Sequence, residues 1–146
     1  MATLPDSAKE LIESGALAHL VTSNADGSGQ VSIIWVGVDA ECLVSAHLDP
    51  RQRKLVNIRR DPRVVLSFEA TTSNGVGMRD NLVVHATALI TESGAPQLLQ
   101  RLAHAYVGPG TNFPPMADPP PGVIVRYTVD RVGGQGPWMA PAQWNP

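Results

Sequence analysis

The sequence predicts a mainly β domain, a small six-stranded antiparallel barrel with two or three helices covering its ends. Three observations carry this expectation. The pair Asp26-Gly27 sits between two β-rich runs and is a strong short-range hairpin signal. Later runs such as 82–91 are apolar at successive positions, so both faces of those strands must meet something other than water. Helical periodicity is confined to three short stretches.

Taken in order, residues 5–15 form a short amphipathic helix closed by Gly15 as its C′ residue. Strands follow at 16–23 and 30–38, joined through the Asp26-Gly27 turn, and a third at 41–47 follows the tight Asp39-Ala40 turn. Asp49 reads as an N-cap and Pro50 as the first residue of a basic helix, which Asp61-Pro62 stops about three turns later. Strands at 64–69 and 82–91 flank a glycine-containing loop. The stretch 95–106 is a second clear helix, with Leu98, Leu99, Leu102 and Tyr106 near one face. A proline-rich loop, 108–122, leads to a last strand at 123–131. Residues 1–132 thus make the domain, and 133–146 an irregular tail.

A chain of 146 residues with 43% hydrophobic content fills one core, and a mean hydropathy of -0.03 excludes a membrane protein. No apolar run approaches the roughly 20 residues that a bilayer requires. The first residues lack a basic n-region and an apolar h-region, and Cys42, the single cysteine, has no internal partner. The cytoplasm is the expected location. His19, His47, His85 and His104 are scattered, so no metal site is expected.

The strongest functional signal is charge. Six of the eleven Lys and Arg residues (Arg51, Arg53, Lys54, Arg59, Arg60, Arg63) lie in one short run of a chain whose net charge is -2. Cations in the first turn oppose the helix dipole, and a bound anion reverses that sign. Such a run can also be a plain solvated face. Against this, Arg53, Asn57 and Arg60 fall on one stripe at about 100° per residue, and no acid inside the run neutralises it at helical spacing. With pI near 6.0, a single phosphorylated or carboxylated small molecule fits better than nucleic acid.

Several blocks in this order resemble the split β-barrel flavin/deazaflavin oxidoreductase superfamily, which includes the pyridoxamine 5′-phosphate oxidases. They are His19-Leu20-Val21-Thr22, the run 26–36, the basic run 53–64 and Leu82-Val83-Val84-His85-Ala86-Thr87-Ala88. The segments 101–110, Phe113-Pro114-Pro115-Met116, Arg131-Val132-Gly133-Gly134 and Gly136-Pro137-Trp138 are most similar to the actinobacterial branch that uses coenzyme F420. The resemblance implies an FMN-binding type of split barrel and a homodimer. The cationic helix would hold the cofactor's phosphate and glutamate tail, on Arg53, Lys54, Asn57 and Arg60. The ring would lie along the second and third strands, against Gln30, Ser32, Ile33, Ile34 and Trp35, with Ser45, Ala46 and His47 beside it. The loop carrying Gly77 and Met78, or the Trp138 tail, would reach over from the partner. The Gly-Gly-Gln-Gly-Pro-Trp ending counts against a vitamin B6 oxidase.

The implied activity is hydride transfer from reduced coenzyme F420 to a planar unsaturated molecule such as an enone, a lactone or a quinone-like ring. The cofactor carries this chemistry, so no nucleophile, metal or carboxylate pair is expected, and no catalytic side chain is assigned. Trp35 and Trp138 are candidate aromatic walls, and His47, His85 or solvent a proton source. Two alternatives stay open: an FMN enzyme of the same fold, and a non-catalytic protein that holds a flavin-like or haem-like ligand. No nucleic-acid or membrane partner is expected.

Overall fold

The computed structural model describes residues 2–73, 75 and 77–139. Residues 74 and 76 of the glycine-containing loop and 140–146 of the tail lie outside the described residues. The elements are α1 (Asp6–Glu13), β1 (Ala18–Ser23), β2 (Gly29–Ile34), β3 (Gly37–Asp39), β4 (Cys42–His47), α2 (Arg53–Arg60), β5 (Arg63–Ser73), β6 (Arg79–Glu92), α3 (Ala95–Tyr106) and β7 (Val123–Gln135). They form one antiparallel sheet of seven strands in the order β2-β1-β5-β6-β7-β4-β3. The expected count of six strands is therefore corrected to seven, while the mainly β, antiparallel arrangement is consistent with the expected split barrel. The sheet is open, and the strand expected at 30–38 is two strands on its opposite edges.

The break falls at Trp35-Val36, and Tyr106 accounts for it. The Tyr106 hydroxyl accepts the Val36 N–H at 2.9 Å and donates to the Ala16 carbonyl at 2.8 Å. A side chain at the end of α3 thus satisfies backbone that would otherwise need a ladder partner. The sheet must curl to bring β2 and β3 onto consecutive residues, and the concave side so formed holds Leu20, Leu66, Phe68, Leu82, Val84, Val125 and Tyr127. A second apolar cluster packs α3 on β4 through Val44, Ala46, Leu98, Leu99 and Leu102.

Local chemistry explains most of the boundaries. In the β1–β2 turn, Asp26 Oδ1 accepts the Ser28 N–H at 3.0 Å, as an aspartate turn does. Gly15 has φ +86, and a Cβ there would stand 2.7 Å from the Ala105 carbonyl oxygen, so α1 ends where it meets α3. β7 runs four residues further than the sequence suggests, pairing Gly133 with Val83 and Gln135 with Asn81. Gly134 makes this possible: its φ is +92, and a Cβ would fall 2.1 Å from the Asn81 carbonyl oxygen.

Candidate functional site

β4 delivers His47 to the start of the basic run, but α2 begins at Arg53 rather than at Pro50. Asp49 does not cap the helix. Its Oδ1 accepts the Arg51 N–H at 2.9 Å and the Arg51 Nε–H at 3.0 Å, a closed local turn. Gln52 occupies the N-cap position and makes no side-chain capping bond. Among the described residues, no protein group accepts from the N–H of Arg53 or Lys54. The helix therefore opens with free donors and two cations at its positive end.

Four of the six cations are already engaged. Arg51 pairs with Asp49, and Arg63 with Asp61 at 2.8 Å. The hydrogen bonds and charge of Arg63 hold the Asp61 carboxyl down to about 2. Arg59 donates to the Pro50 carbonyl at 3.0 Å, and Arg60 donates to the Ser23 carbonyl and to Asn57 Oδ1. The acids flanking the run neutralise its ends, which reduces the free charge that the sequence count suggests. Arg53 and Lys54 remain.

Asn57 is fully buried and ties α2 to the first hairpin. Its Nδ2 donates to Thr22 Oγ1 and to Asn24 Oδ1, both at 3.0 Å. Thr22 donates in turn to Gln30 Oε1 at 2.9 Å, and Gln30 Nε2 donates to Ser32 Oγ at 2.9 Å. Gln30, Ser32, Asn57 and Arg60 thus form one polar brace that sets the pitch of the helix against β1 and β2.

Above the brace lies a cavity of about 250 Å³, lined by Leu17, Ile33, Ile34, Trp35, Ala46, His47, Lys54, Leu99 and Phe113. It gathers five of the residues expected at the ring, Ile33, Ile34, Trp35, Ala46 and His47, together with Lys54, which was expected at the phosphate and glutamate tail. Trp35 stacks on Tyr106 with centroids 5.4 Å apart and meets Phe113 at 5.2 Å, so one wall is an aromatic cluster. Lys54 is half-buried, and desolvation lowers its pKa. His47 is buried, and burial followed by the Lys54 charge lowers its pKa to about 3. It is neutral at physiological pH. Beneath it, Ser45 Oγ lies 2.9 Å from His47 Nε2 and 2.8 Å from Tyr127 Oη.

Other expected contacts lie elsewhere. Met78 is exposed and Gly77 adjoins it at the β5–β6 tip, neither lining the cavity. Trp138 is buried in the main core and donates from Nε1 to the Gly133 carbonyl at 3.1 Å. His85 accepts from Arg131 at 3.0 Å on the outer face of the sheet. Larger cavities of about 510 and 440 Å³ lie against β6, but their arginines are Arg59 and Arg63, both engaged. Among the described residues, no group of three His, Cys, Asp or Glu could hold a metal ion. No described helix is long and apolar enough to cross a membrane.

Sequence reasoning missed Leu17, Leu99, Phe113 and Tyr127. Tyr127 carried a usable signal, since a hydroxyl on the alternating face of Val123, Val125 and Val129 needs a buried partner. Phe113 carried none, because it sits in an aperiodic proline-rich loop.

No family model and no curated protein matches this chain. Solved structures do. An F420 reductase is 26% identical, with a TM-score of 0.74, over 89% of this chain and 98% of its own. A conserved hypothetical protein from Mycobacterium tuberculosis is 23% identical, with a TM-score of 0.70, over 92% of this chain and 85% of its own. An FMN-binding protein from Syntrophomonas wolfei subsp. wolfei is 10% identical, with a TM-score of 0.65, over 88% and 84%. The last two likenesses are of fold alone. The structures similar to this chain are those of the pyridoxamine 5′-phosphate oxidase-like, split-barrel flavin-binding superfamily, the resemblance that its sequence carries.

Proposed function

We propose that the chain is a flavin-type oxidoreductase that uses coenzyme F420 to reduce a planar unsaturated small molecule. The observation that carries this reading is the cavity itself, where an apolar and aromatic wall meets Lys54 at an uncapped, cationic helix N-terminus. A phosphorylated cofactor with a flat ring presents the same two halves. Arg53, Lys54 and the free N–H groups of α2 would hold the phosphate end. Ile33, Trp35 and Ala46 would flank the ring and exclude water. Bound reduced deazaflavin supplies the hydride. The similarity to an F420 reductase supports this choice of cofactor.

FMN is the second reading, and one observation favours it: two unengaged cations suit a single phosphate as well as a longer anionic tail. Titration of the purified protein with each cofactor, followed by fluorescence, decides. The expected result is an F420 Kd of about micromolar or tighter and an FMN Kd at least ~10-fold weaker. Equal or tighter FMN binding overturns the choice of F420, and binding of neither overturns the enzyme reading in favour of an unrelated ligand.

The reading includes a second copy of the chain. Val31 and Ile33 on edge strand β2 are 59% and 60% exposed. In register beside Val31 run Val21, Val65 and His85, and beside Ile33 run His19, Ser67 and Val83, on the outer face of β1, β5 and β6. The exposed Val31 and Ile33, with these valines beside them, are suited to a two-fold contact, and Ile33 also lines the cavity, so the partner would complete the site. A monomer in sedimentation at micromolar concentration that binds cofactor with full affinity would sink this part.

A further inference from the structure

Tyr127, Ser45 and His47 form a closed sequence of polar groups whose proton positions can be deduced. Ser45 and His47 are two residues apart on β4, so both project to one face, and Tyr127 lies diagonally across on β7. Tyr127 and Ser45 are fully buried. Among the described residues the only partner of Tyr127 Oη is Ser45 Oγ, at 2.8 Å. A buried phenol must donate its proton, so Tyr127 donates to Ser45. Ser45 has then accepted one bond and must place its own proton. Its remaining partner is His47 Nε2, at 2.9 Å. The order is therefore Tyr127 to Ser45 to His47, and Nε2 is the acceptor.

The other ring nitrogen follows from the same bookkeeping. His47 Nδ1 has no hydrogen-bond partner among the described residues, and no described buried side-chain nitrogen or oxygen is left unpaired. Nδ1 is therefore accessible, and His47 lines the cavity that Lys54 and Trp35 share. We infer that Tyr127 and Ser45 lock His47 in the tautomer protonated on Nδ1, so that the cavity meets a neutral N–H donor beside the Lys54 ammonium. The groups this donor takes are acceptors, such as a ring carbonyl oxygen or a deprotonated ring nitrogen. Groups that must donate meet no acceptor there. The lowered pKa of His47 agrees, since a protonated ring would lose the bond from Ser45. The tautomer stands on the ligand-free protein. Its use toward a ring acceptor rests on the function proposed above.

Nitrogen-15 spectra of the imidazole rings test the lock in the full ligand-free chain at neutral pH, with His47→Gln identifying the His47 signals. The expected wild-type ring has a protonated, pyrrole-type Nδ1 and a pyridine-type Nε2. In Ser45→Ala/Tyr127→Phe, which removes both hydroxyls and leaves neither orphaned, the ring should shift toward the Nε2–H form. A wild-type His47 protonated on Nε2, or a double variant with an unchanged tautomer, overturns the lock. If the double variant does not fold, the wild-type spectrum decides alone. Coenzyme F420 and FMN are then added separately. A bound cofactor should move the Nδ1–H resonance downfield, and one that binds without moving it overturns the donor role. Binding of neither overturns the proposed function while the tautomer stands on the ligand-free spectrum.

Discussion

The two ends of α2 carry similar charge and are used in opposite ways. At the C-terminal end, Asn57, Arg59 and Arg60 are spent on protein partners: Thr22 and Asn24, the Pro50 carbonyl, and the Ser23 carbonyl. At the N-terminal end, the side chains of Arg53 and Lys54 have no hydrogen-bond or ion-pair partner among the described residues, and their backbone N–H groups are uncapped. Cations at a helix C-terminus are favoured by the dipole and serve the fold. Cations at the N-terminus are disfavoured until an anion arrives. Counting basic residues conflates these roles, and their place along one short helix separates them.

The largest effect expected from breaking this contrast lies at the structural end. Asn57→Ala would leave Thr22, Asn24 and Arg60 without their shared partner and open a void under α2. A loss of roughly 2–4 kcal/mol in denaturant unfolding is expected. A loss below about 0.5 kcal/mol would show that the brace is incidental.

The open end should respond in the other observable. Lys54→Ala should weaken binding of F420, or of FMN if that is the cofactor, by roughly 1–3 kcal/mol. Stability without ligand should stay level or rise slightly, because a half-buried cation leaves a helix N-terminus. Lost stability with unchanged affinity would move Lys54 to the structural class.

How much of this was legible depends on whether the signal was local. The Asp26-Gly27 hairpin, the α1 stop at Gly15 and α3 are encoded by neighbouring residues, and the structure has them. The break in the second strand was not legible, because it is set by Tyr106, about seventy residues away in sequence, bonding Val36. The start of α2 was misread because Asp49 has two local uses, capping a helix or closing on Arg51, and sequence spacing does not choose between them. Gly133-Gly134 read as irregular since glycine usually weakens strands, whereas at Gly134 only glycine clears the Asn81 carbonyl. At the site, the β2 and β4 residues that line the cavity, Ile33, Ile34, Ala46 and His47, were picked out through the family resemblance. The inward turn of Trp138 was not, since it depends on close packing over Gly136.

His47 faces the open end and gives a comparison within it. Its pKa is lowered from 6.5 to about 3, so the folded state binds fewer protons than the unfolded state between those values. Stability should therefore be fully present above about pH 6.5 and fall on acidification, by up to about 1.4 kcal/mol per pH unit. Between about pH 6.5 and 5.5 the carboxylates are still ionised, so His47→Gln should flatten the curve there. A wild-type stability that is level across that window would contradict the buried neutral ring.

The smallest effect is expected at Arg51, which separates charge count from charge placement. Arg51 lies three residues before Lys54, and its side chain is 88% exposed beside Asp49. An exposed pair of this kind contributes about 0–1 kcal/mol, so Arg51→Ala should change stability by less than about 0.5 kcal/mol. Its guanidinium already answers a carboxylate, so removing it should alter cofactor affinity far less than Lys54→Ala does. Asp49→Asn sharpens the point by releasing Arg51 without removing it. If the run acts by total charge, Arg51→Ala weakens binding as much as Lys54→Ala, and Asp49→Asn strengthens it. If placement governs, both changes leave affinity within about twofold of wild type, or roughly 0.4 kcal/mol. The expected outcome is the second, because the free N–H groups belong to Arg53 and Lys54 and the turn at Asp49 lies outside the helix.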